Sequence, residues 1–145
     1  MSEKIIVDCE NLIKIFKVED IEVVALQGLD LVIEEGELMA IIGNSGSGKS
    51  TLLNLIGGLD KATAGKLLVD GKDLIKMSEK DTVLYKRNTI GFVWQNSTRN
   101  LIPYLTALEN VQLAMSVTGR FKDKEYAIEL LNKVGLGKRI NNKLT

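Results

Sequence analysis

At 145 residues the chain is long enough for one domain with a real core and too short to argue for two. Hydrophobic residues at 45% and charged residues at 26% are ordinary for a soluble globular chain, and nineteen basic residues balance nineteen acidic ones. That balance leaves no net field to attract nucleic acid or an anionic membrane. The single Cys9 excludes an internal disulfide, fits a reduced cytosolic setting and reads as a small buried hydrophobe. No apolar run approaches the roughly 18 residues of a membrane span, and "MSEK" opens no secretory signal, so no direct membrane insertion is expected.

No repeat or low-complexity tract interrupts the chain, which reads as one continuous unit. "KIIVDC" and "IEVVAL" predict strands, rich in β-branched residues and bounded by polar turns. "GLDLVIEEGE" alternates Leu29, Leu31 and Ile33 with Asp30, Val32 and Glu34, the pattern of a half-buried strand. "ELMAII" is continuously apolar and predicts a strand buried on both faces of a parallel sheet. From Lys49 the spacing of Leu52, Leu53 and Ile56 is helical, with Gly57-Gly58 as its stop. "GKLLVDGKDL" predicts a strand ending in an Asp70-Gly71 turn. Ser78 with Asp81 caps a helix running to about Arg87. "TIGFVW" again looks like a strand. Thr106 with Glu109 forms a capping box ahead of "ALENVQLAMSV", Pro103 fixes the turn into it, and Asp123 caps "KEYAIELLNKV". Strands first, then strand–loop–helix, then helices: the pattern is α/β.

The most specific signal is Gly43-Asn44-Ser45-Gly46-Ser47-Gly48-Lys49-Ser50, which fills every fixed position of G-x-x-x-x-G-K-[ST]. Glycines let successive amides turn inward as an anion-binding nest, and the following helix adds its positive end. Lys49 is expected to reach the β- and γ-phosphates, Ser50 to ligate Mg²⁺, and Thr51 to support the α-phosphate. A dinucleotide fingerprint fails, because Thr51 stands where Gly46-x-Gly48-x-x requires glycine or alanine. Guanine recognition is not expected either. "NNKLT" offers Asn142-Lys143-Leu144 and then Thr145, where an aspartate would be needed.

With the loop placed, "ENLIKIF", "LQGLDLVIEEGELMAIIGNSGSGKSTLLNLIGGLDKATAGKLLVDGKDL", "IGFVWQ" and "NLIPYLTALENV" together resemble the ATP-binding domain of ABC transporters. The likeness is to the lipoprotein-release and macrolide-export subgroup, and it covers essentially the whole chain. It implies a P-loop NTPase core with an N-terminal antiparallel β subdomain and the start of a helical subdomain, residues 1–145 being the N-terminal part of one nucleotide-binding domain. It implies ATP and Mg²⁺ as cofactors. By resemblance, Phe16 stacks on adenine, although a core Phe among Leu12, Ile13 and Ile15 is the other reading. Gln95 falls where the family places a glutamine that meets Mg²⁺ and the attacking water and links the site to a membrane subunit. The implied partners are a transmembrane permease and a second nucleotide-binding domain, paired head-to-tail. The implied location is cytoplasmic, on the inner face of the cell membrane. "NSTRN" adds about two residues to the family pattern at the surface facing the permease.

The family's serine–glycine–glycine signature, its Asp-Glu strand and its switch histidine are not found in the chain. "LVIEE" with Glu34 and Glu35 lies on the wrong side of the phosphate loop for the Asp-Glu strand, and "LLVD" with Asp70 runs straight into a turn. A chain carrying only the phosphate and glutamine loops is expected to grip nucleotide without hydrolysing it, and to leave "ELMAII" unpaired. The leading function is therefore an ATP-binding subunit driving a permease. The alternatives are a non-catalytic nucleotide-binding remnant and a non-transport P-loop kinase.

Overall fold

Two runs of β-branched and apolar residues joined at Glu19-Asp20 form one long hairpin in the computed structural model, which describes residues 4–119 and 123–143. The first three residues of "MSEK" and the Leu144-Thr145 end of "NNKLT" lie outside the described residues. The chain divides into two compact units, Met1–Ile90 and Gly91–Thr145.

In the first unit, β1 (Ile5–Val18) and β2 (Ile21–Glu34) are each longer than the sequence reading made them. What looked like breaks are irregularities in the β1–β2 register around Asn11, whose φ is 46°. A bulge bends a strand without ending it. β3 (Ala64–Val69) pairs antiparallel with β1, and the Asp70-Gly71 turn, with φ of 48° and 71°, returns into β4 (Lys72–Asp73). Two consecutive positive φ values match the tight hairpin turn expected of Asp-Gly. The sheet order is β2-β1-β3-β4, antiparallel throughout.

One face of this sheet, through Val7, Cys9, Leu12, Leu26, Leu67 and Val69, packs with Leu52 and Leu55 of α1 (Lys49–Ile56) and Tyr85 of α2 (Glu79–Asn88). The end of α1 shows why this packing is specific. Its last carbonyls would be orphaned. Instead Leu53 accepts from the Gly57 amide, Asn54 from Leu59, Leu55 from Gly58, and Ile56 from the buried Tyr85 hydroxyl. Ser78 caps α2 by accepting from the Asp81 amide, as its sequence requires.

In the second unit, α3 (Ala107–Val117) carries the full Thr106–Glu109 capping box, and Asp123 caps α4 (Lys124–Lys133) through the Tyr126 amide. Leu108, Met115, Ala127 and Leu131 form the buried centre between these helices. Pro103 sits in a turn closed by the Leu105 amide on the Ile102 carbonyl, at 3.1 Å. The Asn110 side chain braces it, accepting from the Ile102 amide at 2.8 Å and donating to the Thr106 carbonyl at 3.0 Å.

Two expected strands do not form. "ELMAII" forms no strand and is unpaired: Met39 and Ile41 are half-buried, while Leu38 is 99% and Ile42 89% exposed. "TIGFVW" likewise lacks strand pairing, with Val93 86% exposed and the rings of Phe92 and Trp94 4.6 Å apart. The sequence signals burial on both faces. A strand also needs a hydrogen-bonding neighbour, and no described residue supplies one.

Cys9 is 1% exposed, as its place in the apolar run suggested. Burial, and then the neighbouring Asp8 carboxylate, push its thiol up to about 11. The unfolded thiol ionises near ~8.5. Its contribution to stability is therefore complete below that pH and is lost as pH rises towards 11. Denaturant unfolding at neutral pH and at about pH 10.5 should show a larger loss of stability for the natural chain than for Cys9→Ala.

Candidate nucleotide-binding site

The glycine-rich segment leaves "ELMAII", turns through Gly43–Gly48 and enters α1 at Lys49. Gly48 is the N-cap of that helix, at a left-handed φ of 85°, and no side chain caps it. A Cβ there would stand 2.6 Å from the Ala25 carbonyl oxygen and 2.9 Å from Leu26 Cδ2, so the loop lies directly on the backbone of β2. A Cβ on Gly43 would stand 2.7 Å from Ser47 Oγ. Side chains at these two positions would fill the turn, which is the physical reason for glycine at both.

The first bond of α1 runs from the Leu52 amide to the Gly48 carbonyl, at 2.8 Å. The amides of Lys49, Ser50 and Thr51 therefore have no backbone acceptor among the described residues. No acidic residue stands in this first turn to neutralise the positive end of the helix. Lys49 curls back over the loop, its ammonium donating to the carbonyls of Gly43 at 2.9 Å and Asn44 at 2.6 Å and to Ser47 Oγ at 3.2 Å. Asn44, Ser45, Gly46, Ser47 and Ser50 are exposed, and the Ser50 hydroxyl has no hydrogen-bond partner among the described residues. Open amides, an ammonium held over the loop carbonyls and a hydroxyl without a partner among the described residues, around a turn with no room for side chains, suit a polyphosphate with its metal ion.

Phe16 lies near the tip of β1, opposite Val23, and is 38% exposed. Val23 is two residues from Ala25, where the loop touches β2, with a register irregularity between them. Gln95 belongs to the second unit and is exposed in a bend. Its loop is shaped by Asn100, which accepts from the Trp94 amide at 2.7 Å and donates to the Trp94 carbonyl at 2.8 Å. Within "NSTRN", Ser97–Arg99 form a short 3₁₀ turn, so the extra length is locally ordered. Glu35 faces Lys4 at 3.7 Å, and Asp70 lies in its hairpin turn facing Lys4 and Lys72. Both sit in surface ion pairs, and no group of three or more His, Cys, Asp or Glu that could hold a metal ion occurs among the described residues.

The sequence reading passed over Lys14. It is the buried charged residue of the described core, 9% exposed, on the face of β1 that also holds Leu12. The available signal was a lysine at an inward position of the alternation Leu12-Lys14-Phe16.

Together, the sheet, the glycine loop and the helix it opens define the amino-terminal part of a P-loop nucleotide-binding domain. Residues 26–145 match the ABC transporter family, and the chain belongs to it. It is 42% identical over 145 residues to the lipoprotein-releasing system ATP-binding protein LolD of Pseudomonas syringae pv. tomato, covering 99% of this chain and 63% of that protein. It is 44% identical over 132 residues to an uncharacterized ABC transporter ATP-binding protein of Thermotoga maritima, covering 90% of this chain and 56% of that one. Among solved structures, a dimeric ATP-binding cassette in a post-hydrolysis state, bound to ADP and Pi, superposes with a TM-score of 0.80 at 37% identity, over 94% of this chain and 61% of the other. The chain thus spans about three-fifths of the length of the relatives it matches. No helix among the described residues is long and apolar enough to cross a membrane.

The close approach at Gly48 has a measurable consequence. Gly48→Ala combines a left-handed φ with a clash against backbone and should lower stability by about 1–3 kcal/mol or more. Gly46→Ala meets nothing within 4 Å and bears only its own φ of 81°, for which about 1–2 kcal/mol is expected. Denaturant midpoints of the two variants should fall in that order.

Proposed function

We propose that this chain is the nucleotide-gripping part of an ATP-binding subunit of an ABC-type exporter or lipoprotein-release system. The observation that carries the reading is the loop itself: three open amides at the start of α1, beneath a lysine ammonium. In this reading residues 1–145 are the first part of one nucleotide-binding domain, to which both compact units belong.

The roles follow from chemistry. The amides of Gly43 to Gly48 and of the first turn wrap the phosphates, and Lys49 exchanges bonds to the loop carbonyls for bonds to the β- and γ-phosphate oxygens. Thr51 supports the α-phosphate. Mg²⁺ is held by few protein groups and several phosphate oxygens and waters. The Ser50 hydroxyl fits that sparse donor set better than a carboxylate cage would, and a contact of Gln95 with the same ion rests on the resemblance alone. Phe16 offers a partly exposed ring for the adenine, and Gln95 orients water and reports nucleotide occupancy to a permease. Hydrolysis needs a group to activate water besides charge stabilisation. Lys49 and the loop amides supply only the second, in part, and in this reading turnover takes place in a head-to-tail dimer on the inner face of the membrane.

Lys49→Ala should weaken MgATP binding by about 1.5–3 kcal/mol, the worth of charge-assisted contacts to phosphate. Calorimetric titration tests this, and equal affinities would remove Lys49 from the site. Phe16→Ala should weaken MgATP binding while leaving magnesium tripolyphosphate binding unchanged. If both ligands weaken alike, Phe16 serves packing and not the base.

A further inference from the structure

Burying an ammonium is costly unless its donors are satisfied. Lys14 has three N–H donors to place. One meets Asp60 Oδ1 at 2.7 Å and a second the Lys61 carbonyl at 2.8 Å. The remaining side of the ammonium lies over the face of the Phe16 ring, 4.7 Å from its centroid. Asp60 is itself held, its Oδ1 also accepting from the Lys61 amide at 2.7 Å. Lys14 therefore stands between the aromatic ring on β1 and the segment that follows α1, the helix whose other end carries the phosphate loop. The same segment is stitched to β1 on both sides of Lys14. The Thr63 amide donates to the Ile13 carbonyl at 2.8 Å, and the Ile15 amide donates to Thr63 Oγ1 at 2.9 Å.

We propose that Lys14 is a positioning residue for the base of the nucleotide: clamped by Asp60 and the Lys61 carbonyl, its ammonium holds the Phe16 ring in place so that an exposed part of the ring meets adenine. The inference rests on the reading of Phe16 given above. A ring near the tip of a hairpin, 38% exposed, has rotamer freedom to lose when a flat ligand settles on it. A cation held against one face removes that freedom beforehand. Lys14 touches no phosphate in this arrangement and acts through Phe16 alone. A lysine serving only to join β1 to the 60–63 segment would leave base affinity untouched once the protein is folded.

The test is calorimetric titration of the full chain with MgATP and, separately, with magnesium tripolyphosphate. Lys14→Met keeps the apolar stem and removes the charge. It should weaken MgATP about three- to tenfold, the range expected of one cation–ring contact, and leave tripolyphosphate unchanged. Lys14→Arg, which can still pair with Asp60 and stack on the ring, should restore most of the loss. In the Phe16→Ala background, Lys14→Met should cause no further loss. Asp60→Asn keeps Lys14 in place with a weaker clamp. It should give a smaller loss of the same kind and serves if Lys14→Met does not fold. Weakening by Phe16→Ala without any by Lys14→Met or Asp60→Asn overturns the role of Lys14 and leaves the adenine reading intact. Losses that add in the double variant, or that extend equally to tripolyphosphate, also overturn it. Unchanged MgATP affinity in Phe16→Ala overturns the adenine reading itself.

Discussion

The first unit depends on one contact, the backbone of the phosphate turn lying on the backbone of β2. Where Gly48 meets the Ala25 carbonyl there is space for a hydrogen and none for a methyl group. The contact sets where α1 begins and therefore where its open amides lie. It also sets how Leu52 and Leu55 reach the sheet, because both follow within two turns of the same helix. A side chain at this point would lift the helix off the hairpin and move the loop with it. The packing of α1 and the placing of its open amides thus share one steric requirement.

The opposite end of α1 is held by different means. Its terminal carbonyls are satisfied by the Gly57-to-Leu59 amides and the Tyr85 hydroxyl, and the next residues are tied to β1 through Lys14–Asp60 and Thr63. The helix is therefore fixed to the hairpin at both ends, near Ala25 through backbone contact and near Lys14 through a partly buried ion pair. A buried pair adds little net stability over apolar packing, but it is intolerant of misplacement. That intolerance holds β1 and the segment after α1 in one register.

Much of the local structure was legible because its causes are local. The Ser78, Thr106 and Asp123 caps, the Asp70-Gly71 turn, the Pro103 turn and the stop of α1 at Gly57 each follow from residue chemistry within a few positions. The glycine-rich loop was legible for the same reason, since contiguous backbone makes its turn. The length of β1 and β2 was not, because a bulge at Asn11 looks in sequence like a strand end. Lys14 was missed because its partners lie 46 and 47 residues away, and sequence spacing carries no sign of them.

The sequence by itself determined the glycine-rich turn and the helix it opens: glycines where side chains have no room, then a lysine and a hydroxyl residue at the start of α1. These are properties of adjacent residues and survive any choice of neighbours. Only the tertiary structure decided that "KIIVDC" finds partners in β2 and β3 while "TIGFVW", which also looked like a strand, finds none. Only the tertiary structure set a buried ammonium against the face of Phe16. The physical reason is the same in both cases. Strand pairing and ion pairing are satisfied by groups distant in sequence, and their energies exist only once the chain has brought those groups together.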